Sequence, residues 1–352
     1  MAKNLWAVVA LLILSLNSHG AAPICEDLFS NVRFVKMAAD LQDKELLPFK
    51  NTVDSINGFL GELTAPQNIS INVHRVIEDP GARPHEGLLK IGLQLGRELG
   101  PSRTYTKNPT FSQAILAHEY GHLIFRENFI RIEPKMREAE AVFPQTLEPR
   151  KKVDTLDAEL DLLRKQLPTL SWDEKSVVWK RMHELETEKN QLIAQVMELM
   201  QIPTKLNERL DPYDEFFADV VAVLQTENPS AVSEATKFTI LQQKVGKPKL
   251  LKFSDDSRDF QNKIQRPLYY GKHEYFLTVR AHLWNSYLAS QSLLHGSKAK
   301  ILSAVYAAVA KEAQLSIAAP SFGPQESWKE LNQNLIQRLD AELTARGIKS
   351  LK

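Results

Sequence analysis

Two histidines and a glutamate lie within the five consecutive residues His118-Glu119-Tyr120-Gly121-His122. On a helix, positions i and i+4 share a face, so His118 and His122 can direct two imidazole nitrogens at one point. Paired neutral imidazoles are typical zinc ligands. Glu119 lies about 100° around the helix, where it can border the metal and act as general base on a metal-bound water. Gly121 removes a side chain beside the ligands and would let another backbone approach.

A catalytic zinc needs a third protein ligand, and we predict that it is Glu215. This residue lies in the segment 214–219, DEFFAD, which begins an otherwise almost wholly apolar helix. A carboxylate in such surroundings needs a cation or strong hydrogen bonds. The metal would serve Glu215, and a ligating histidine would donate to Asp219, which would fix that ring's tautomer. Glu208 and Asp214 fit less well, because neither has a carboxylate four residues later.

The elements that must position these residues follow from periodicity and capping patterns. Residues 26–62 are predicted to be mainly helical, and alternating apolar residues predict strands at 69–74 and at 88–95. Residues 80–84 are expected to form a Pro/Gly turn between the two strands. The second strand, with its Lys and Gly residues, is suited to a sheet edge. Residues 110–113 have the form of a capping box that opens a helix over 114–125.

A charged segment over residues 150–203 predicts an inserted antiparallel helical hairpin. Leu156, Leu160, Leu163 and Leu167 form a stripe with coiled-coil-like spacing. A turn follows, and Ser171 with Glu174 forms a second capping box. The hairpin is interpreted either as a solvated arm packed on itself or as an arm that contacts a protein partner.

The remaining pattern predicts an α+β fold dominated by helices, with a small sheet packed on the metal helix. Helices are expected at 213–226, 273–294, 298–316 and 326–345, the last of them stopped at Gly347, and a polar loop at 246–272. The predicted organisation is a signal peptide at 1–20, helices, sheet and metal helix at 21–149, the hairpin at 150–203, and a helical part with the third ligand at 204–352.

Composition and the N-terminal segment exclude some classes of function and predict where the protein is located. The 44 Lys and Arg balance 43 Asp and Glu, so a net charge of +1 gives no field for nucleic acid. The one cysteine, Cys25, excludes an intrachain disulfide framework. Lys3, the apolar run 5–16 and small residues near Gly20 match a cleaved secretory signal that is too short to span a membrane. We therefore expect a mature chain that is periplasmic or extracellular and has no stable membrane span.

Two blocks of the sequence resemble the gluzincin class of zinc metallopeptidases. Residues 114–122, AILAHEYGH, and 215–219, EFFAD, are similar to the A-x-x-x-H-E-x-G-H and E-x-x-A-D patterns of the HtpX-like and CaaX-prenyl-protease-like peptidase family. With its flanking elements the resemblance extends over residues 60–290. The 92 residues of segment 123–214 exceed the family's expected spacing, and the inserted hairpin would account for the excess.

The resemblance implies a zincin-like core and a zinc-dependent endopeptidase with one Zn²⁺ per chain. His118, His122 and Glu215 would hold the metal, Glu119 would move the proton, and Asp219 would orient a ligand. A polypeptide substrate would add to the edge strand near 88–95, as gluzincin substrates do.

An oxyanion stabiliser is also expected from the resemblance, because related peptidases often use a His, Tyr or Arg downstream of the third ligand. His273 and Arg280, predicted to lie two turns apart on one helix, are the candidates, although each can equally be structural.

Two other functions stay open on the sequence. The chain can be a catalytically idle relative that binds partners through the hairpin, or a zinc hydrolase of a non-peptide amide. Glu119 favours catalysis, because a structural metal site has no use for a base at that position.

Overall fold

The structure is a computed structural model. It describes residues 27–29, 32–77, 80–83, 87–95, 109–235, 258–261, 273–319 and 327–351. Within these ranges the chain is an α+β fold dominated by helices, with a small mixed sheet, as the sequence predicts. The predicted leader at 1–20 and most of the polar segment 246–272 lie outside the described residues.

The sheet has five described strands in the order β1-β2-β3-β5-β4. They are β1 (Asp27–Phe29), β2 (Val32–Lys36), β3 (Ile69–Ile77), β4 (Gly81–Arg83) and β5 (Leu88–Leu95). Strands β2, β3 and β5 are parallel, and the outer strands β1 and β4 are antiparallel to their neighbours.

Strand β2 lies where a mainly helical segment was expected, so the prediction for 26–62 is wrong in its first part. Val32 and Phe34 are buried and Arg33 between them is exposed, which is the period of a strand with one face on the core. The helix of this segment is α1 (Asp43–Gly58). Val32 and Phe34, two residues apart, were the short period-two signal that the helical interpretation overlooked.

Strand β5 is not at the edge of the sheet as predicted. Its first residues pair with β4, with Gly81 opposite Lys90 and Arg83 opposite Leu88. Strand β4 comes from the Pro/Gly segment that was expected to be only a turn. It is therefore the last strand of the sheet in the described part of the chain.

The remaining helices surround this sheet and each other. They are α2 (Pro109–Ile132), α3 (Pro134–Glu140), α4 (Phe143–Gln166), α5 (Trp172–Thr226), α6 (Leu277–Leu283), α7 (Gln291–Ala318) and α8 (Ser327–Ala345). A π-helical turn, Trp284–Leu288, continues α6. Helix α8 ends before Gly347, whose φ of 76° suits the predicted stop.

The N-terminal capping predictions had different outcomes. Ser171 caps α5, and the Glu174 carboxylate accepts from the Ser171 N–H at 2.9 Å, so the second capping box is confirmed. The first is wrong, because α2 already includes Pro109 and Thr110 lies inside its first turn. The Ser112 hydroxyl donates instead to the carbonyl of Leu93 at 3.3 Å, which ties α2 to β5.

Helix α5 is one continuous helix of 55 residues that passes through Pro203 and Pro212. A proline costs one helical hydrogen bond and crowds the preceding turn. Here the chain beyond each proline is anchored by buried side chains, such as Leu210 and Phe216. The predicted end of the hairpin at residue 203 therefore falls within a helix that also carries Glu215.

The outer parts of α4 and α5 form the predicted antiparallel hairpin. They have a small core of their own, made by Leu156, Leu160 and Leu185. Exposed ion pairs run along it, for example Arg181 with Glu159 at 2.9 Å. The hairpin is thus a self-packed arm, separate from the main core.

The main core lies where α5 packs against α2 on one side and α7 on the other. By length and composition alone, the part of α7 from Gly296 to Ala318 would suffice to cross a membrane. Of its most apolar stretch of 18 residues, 61% is buried inside the fold, as in the core helix of a globular protein.

Candidate metal centre

The candidate site lies at the crossing of α2 and α5. Helix α2 provides His118, Glu119 and His122, and α5 provides Glu215. Gly121 permits the crossing, because its missing side chain leaves room for the α5 backbone, as the sequence predicts. Of the predicted ligands, His118 and Glu215 are buried, each with 3% of its surface exposed.

The three predicted ligands converge on one point. The distance between His118 Nε2 and His122 Nε2 is 3.1 Å. Glu215 Oε2 lies 3.4 Å from His118 Nε2 and 3.8 Å from His122 Nε2. These three side chains form a cluster that could hold a metal ion.

These separations fit a tetrahedral centre. Ligand atoms about 2.0–2.1 Å from a zinc ion at tetrahedral angles are about 3.3–3.4 Å apart. The observed separations of 3.1, 3.4 and 3.8 Å bracket that value. The donor set of two imidazoles and one carboxylate is also one that zinc prefers.

Each histidine has a carboxylate behind it. His118 Nδ1 lies 3.0 Å from Asp219 Oδ1, and His122 Nδ1 lies 2.8 Å from Asp214 Oδ1. A neutral ring that donates its Nδ1 proton to such a carboxylate presents the Nε2 lone pair to the cluster. Two lone pairs and the Glu215 carboxylate then face one another. A metal ion could neutralise this cluster, as could the Arg258 guanidinium, whose Nη2 lies 2.8 Å from His118 Nε2 and 3.5 Å from Glu215 Oε2.

Asp214 is a partner that sequence reasoning missed. It was set aside as a third ligand because Ala218, four residues later, is not a carboxylate. It serves His122 instead, and Arg126 Nε holds its other oxygen at 3.3 Å. The available signal was Arg126 itself, a cation one turn after His122 on the same helix face.

The electrostatics reflect this concentration of carboxylates. Burial opposes protonation of His122, but Asp214, Glu215 and Glu119 outweigh it and raise the pKa of His122 to about 9. Burial would likewise raise the pKa of Glu215, yet His122, His118 and His273 outweigh it and hold that pKa well below its usual range. The site is thus built to attract positive charge.

Asp219 is the centre of a buried ion network. Arg258 Nη2 lies 2.7 Å from Asp219 Oδ1, and Arg280 Nη2 lies 2.6 Å from Oδ2. Burial disfavours the charged form of Asp219, but Arg258 and Arg280 outweigh burial and keep its pKa far below the ordinary value. Asp219 therefore connects His118 to two arginines.

Arg258 is the second residue that sequence reasoning missed. Its Nη2 lies 2.8 Å from His118 Nε2 and 3.5 Å from Glu215 Oε2. The segment 246–272 was predicted to be a polar loop, in which an arginine carries no pattern. Phe260, fully buried two residues later, is what anchors Arg258.

The prediction that the two candidate oxyanion stabilisers share one helix is wrong, because the helix begins at Leu277. His273 precedes α6, and its Nδ1 lies 3.1 Å from Glu215 Oε2 while its side chain stays 33% exposed. Arg280 lies on α6, is fully buried, and donates to Asp219 and to the His273 carbonyl at 2.9 Å. His273 is therefore the more accessible of the two, and Arg280 holds its backbone in place.

The predicted general base, Glu119, is held by the edge of the sheet. Its Oε2 accepts a hydrogen bond from the backbone N–H of Ala82 in β4 at 2.9 Å. Glu119 also contributes to the raised pKa of His122, which places its charge beside the cluster.

Comparisons of the chain with family models, curated proteins and solved structures gave no significant match.

Proposed function

We propose that this protein is a zinc-dependent endopeptidase with a zincin-like core of the gluzincin type. The observation that carries the proposal is the convergence of His118, His122 and Glu215, with Glu119 on the same helix as the two histidines. Glu119 is the residue that a structural metal site would not need.

His118, His122 and Glu215 are the residues that would hold the zinc. When bound, the ion would supply Lewis acidity, lowering the pKa of its water and polarising the scissile carbonyl. Asp219 and Asp214 fix the rings through their Nδ1 atoms, so both Nε2 atoms stay directed at the centre.

Glu119 would accept the proton of the attacking water and return it to the leaving amine. The hydrogen bond from Ala82 holds one carboxylate oxygen in place and leaves the other for this transfer. His273 would donate to the developing oxyanion, and its partly exposed ring at the edge of the cluster supports that role.

The test of the proposal combines metal content with hydrolysis of an unfolded protein substrate. Wild-type protein should bind about one zinc per chain and cleave the substrate. Glu119→Gln should keep its zinc, because Gln still accepts from the Ala82 N–H, but should lose at least about 100-fold in kcat. Full activity in zinc-loaded Glu119→Gln would reject the mechanism.

The same two measurements also separate the proposed function from the two alternatives that the sequence leaves open. Zinc bound without hydrolysis of protein or of a cell-wall amide would favour the idle partner-binding relative. The hairpin offers a surface for such binding, because Trp172 is 73% and Trp179 is 45% exposed near its tip. Hydrolysis of the amide alone would favour a non-peptide substrate.

Export to the periplasm or the extracellular space remains part of the proposal. It rests on the leader-like residues 1–20, and secretion of a fusion between this segment and a reporter would test it.

A further inference from the structure

Two adjoining cavities lie between β4 and the base of the hairpin. The first has a volume of about 600 Å³ and lies between Ala82 and Arg83 of β4, the start of α4 and the middle of α5. A second cavity of about 480 Å³ shares Arg83, Leu147 and Arg150 with the first and continues along the arm. We call the two cavities together the hairpin groove.

The hairpin groove is connected to the candidate catalytic residues through β4. Ala82 lines the first cavity and donates its backbone N–H to Glu119. A chain lying in the groove therefore passes along the strand that holds the general base.

The charge of the groove is positive. Four cations line it, Arg83, Arg126, Arg150 and Lys151, against two acids, Glu140 in the first cavity and Asp154 in the second. The whole chain has a net charge of only +1, so this concentration of cations is local. Such a surface complements acidic side chains.

Arg150 is the cation best placed to read such a side chain. It lines both cavities and is exposed, and among the described residues no acidic group pairs with it. Lys151, by contrast, already contacts Glu148 at 3.0 Å. Next to Arg150 the groove has apolar surface, with Leu147 45% and Met197 68% exposed.

We propose that the hairpin groove binds one flank of an extended polypeptide substrate, with an acidic side chain on Arg150 and an apolar side chain on Leu147 and Met197. This inference rests on the proposed function, because it makes the groove an extension of the peptidase site. It gives the hairpin a role in substrate choice.

The test measures binding of two fluorescein-labelled peptides to zinc-loaded Glu119→Gln protein. Both peptides are about 12 residues long, enough to follow the groove when extended. One peptide alternates Leu with Glu, and the other alternates Leu with Gln. We expect the Glu peptide to bind about three- to tenfold more tightly at low salt. Adding Arg150→Glu should abolish this preference.

Lys180→Glu is the matched control, because it makes the same charge change at an exposed position on the same arm, outside the groove. It should keep the preference. Equal binding of both peptides, no binding of either, a preference that survives Arg150→Glu, or equal loss in both variants would each overturn the inference. Circular dichroism would verify that the variants are folded.

Cleavage by wild-type protein separates this inference from the proposed function. If the Glu peptide is preferred in binding but neither peptide is cut by zinc-loaded protein, hydrolysis fails and the groove assignment stands. If both are cut at equal rates and bind equally, hydrolysis stands and the groove assignment fails.

Discussion

Gly121 of α2 lies against the backbone of Ala218 of α5, so closely that a Cβ at Gly121 would lie 2.7 Å from Ala218 Cα and 3.2 Å from its Cβ. These are backbone or near-backbone atoms, which cannot turn aside. The metal ligands on the two helices meet because this contact permits it.

Gly121→Ala should therefore force the helices apart. We expect a loss of about 1–3 kcal/mol in the free energy of unfolding, measured by urea denaturation, together with weaker zinc binding. Gly58→Ala is the control, since a Cβ there would have no atom within 4 Å. Equal stability of the two variants would contradict the close packing.

Asp214→Asn should weaken zinc binding by about 10- to 100-fold, because it removes the carboxylate that orients His122. Competition with a chelator measures the affinity. Asp211→Asn, which changes a more exposed acid one turn earlier on α5, should have little effect. Comparable losses in both variants would show a general charge effect instead of orientation.

Asp219→Ala should destabilise the fold by about 3–5 kcal/mol, because it leaves Arg258 and Arg280 buried without their shared carboxylate. Chemical denaturation of metal-free protein isolates this effect from zinc binding. Glu159→Ala, which breaks the exposed pair with Arg181, should cost less than about 1 kcal/mol. A similar small cost for both would mean that the buried network contributes little.

Removal of the metal should lower the melting temperature, and zinc should restore it. At a free zinc concentration about 100 times the Kd, binding to the folded state alone adds about 2.7 kcal/mol. Glu215→Gln should lose most of this zinc-dependent shift, whereas Glu208→Gln, an exposed position on the same helix, should keep it. A full shift in Glu215→Gln would remove Glu215 from the ligand set.

Deletion of residues 151–200, with a short Gly/Ser bridge, should leave zinc binding intact. The arm has its own core, and the retained Arg150 lines the same cavity as Met200, the residue directly before the other retained end, so a short bridge can join the two ends. Metal analysis of the purified deletion protein provides the measurement. Loss of zinc from a folded deletion protein would mean that the arm supports the site.

The parts of the fold that sequence predicts best are those with a strong local signal. The spacing of His118 and His122, the Ser171 capping box and Gly347 each depend on a few neighbouring residues. Strand β4 had no such signal, because three residues in a Pro/Gly segment become a strand only through pairing with β5. Tertiary pairing decided that assignment.

The residues of the candidate site also differ in how visible they are in the sequence. Glu215 and Asp219 stand out as acids in an apolar helix, so their need for partners is visible in sequence. Arg258 does not stand out in the sequence, because its role depends on a contact with His118, 140 residues away. Asp214 was misjudged since the helix pattern predicts which side chains share a face, whereas its partner His122 lies on another helix.

The continuity of α5 gives the hairpin a fixed angular phase relative to the core. An α-helix turns about 100° and rises about 1.5 Å per residue, so a single-residue insertion between the arm and Glu215 would swing the tip about 100° around the core. Changes of about seven or eleven residues, matched in α4, preserve the direction of the tip. The arm can therefore lengthen or shorten in evolution by whole helical repeats. Its length then changes by a fixed increment while the direction of its tip relative to the core is kept.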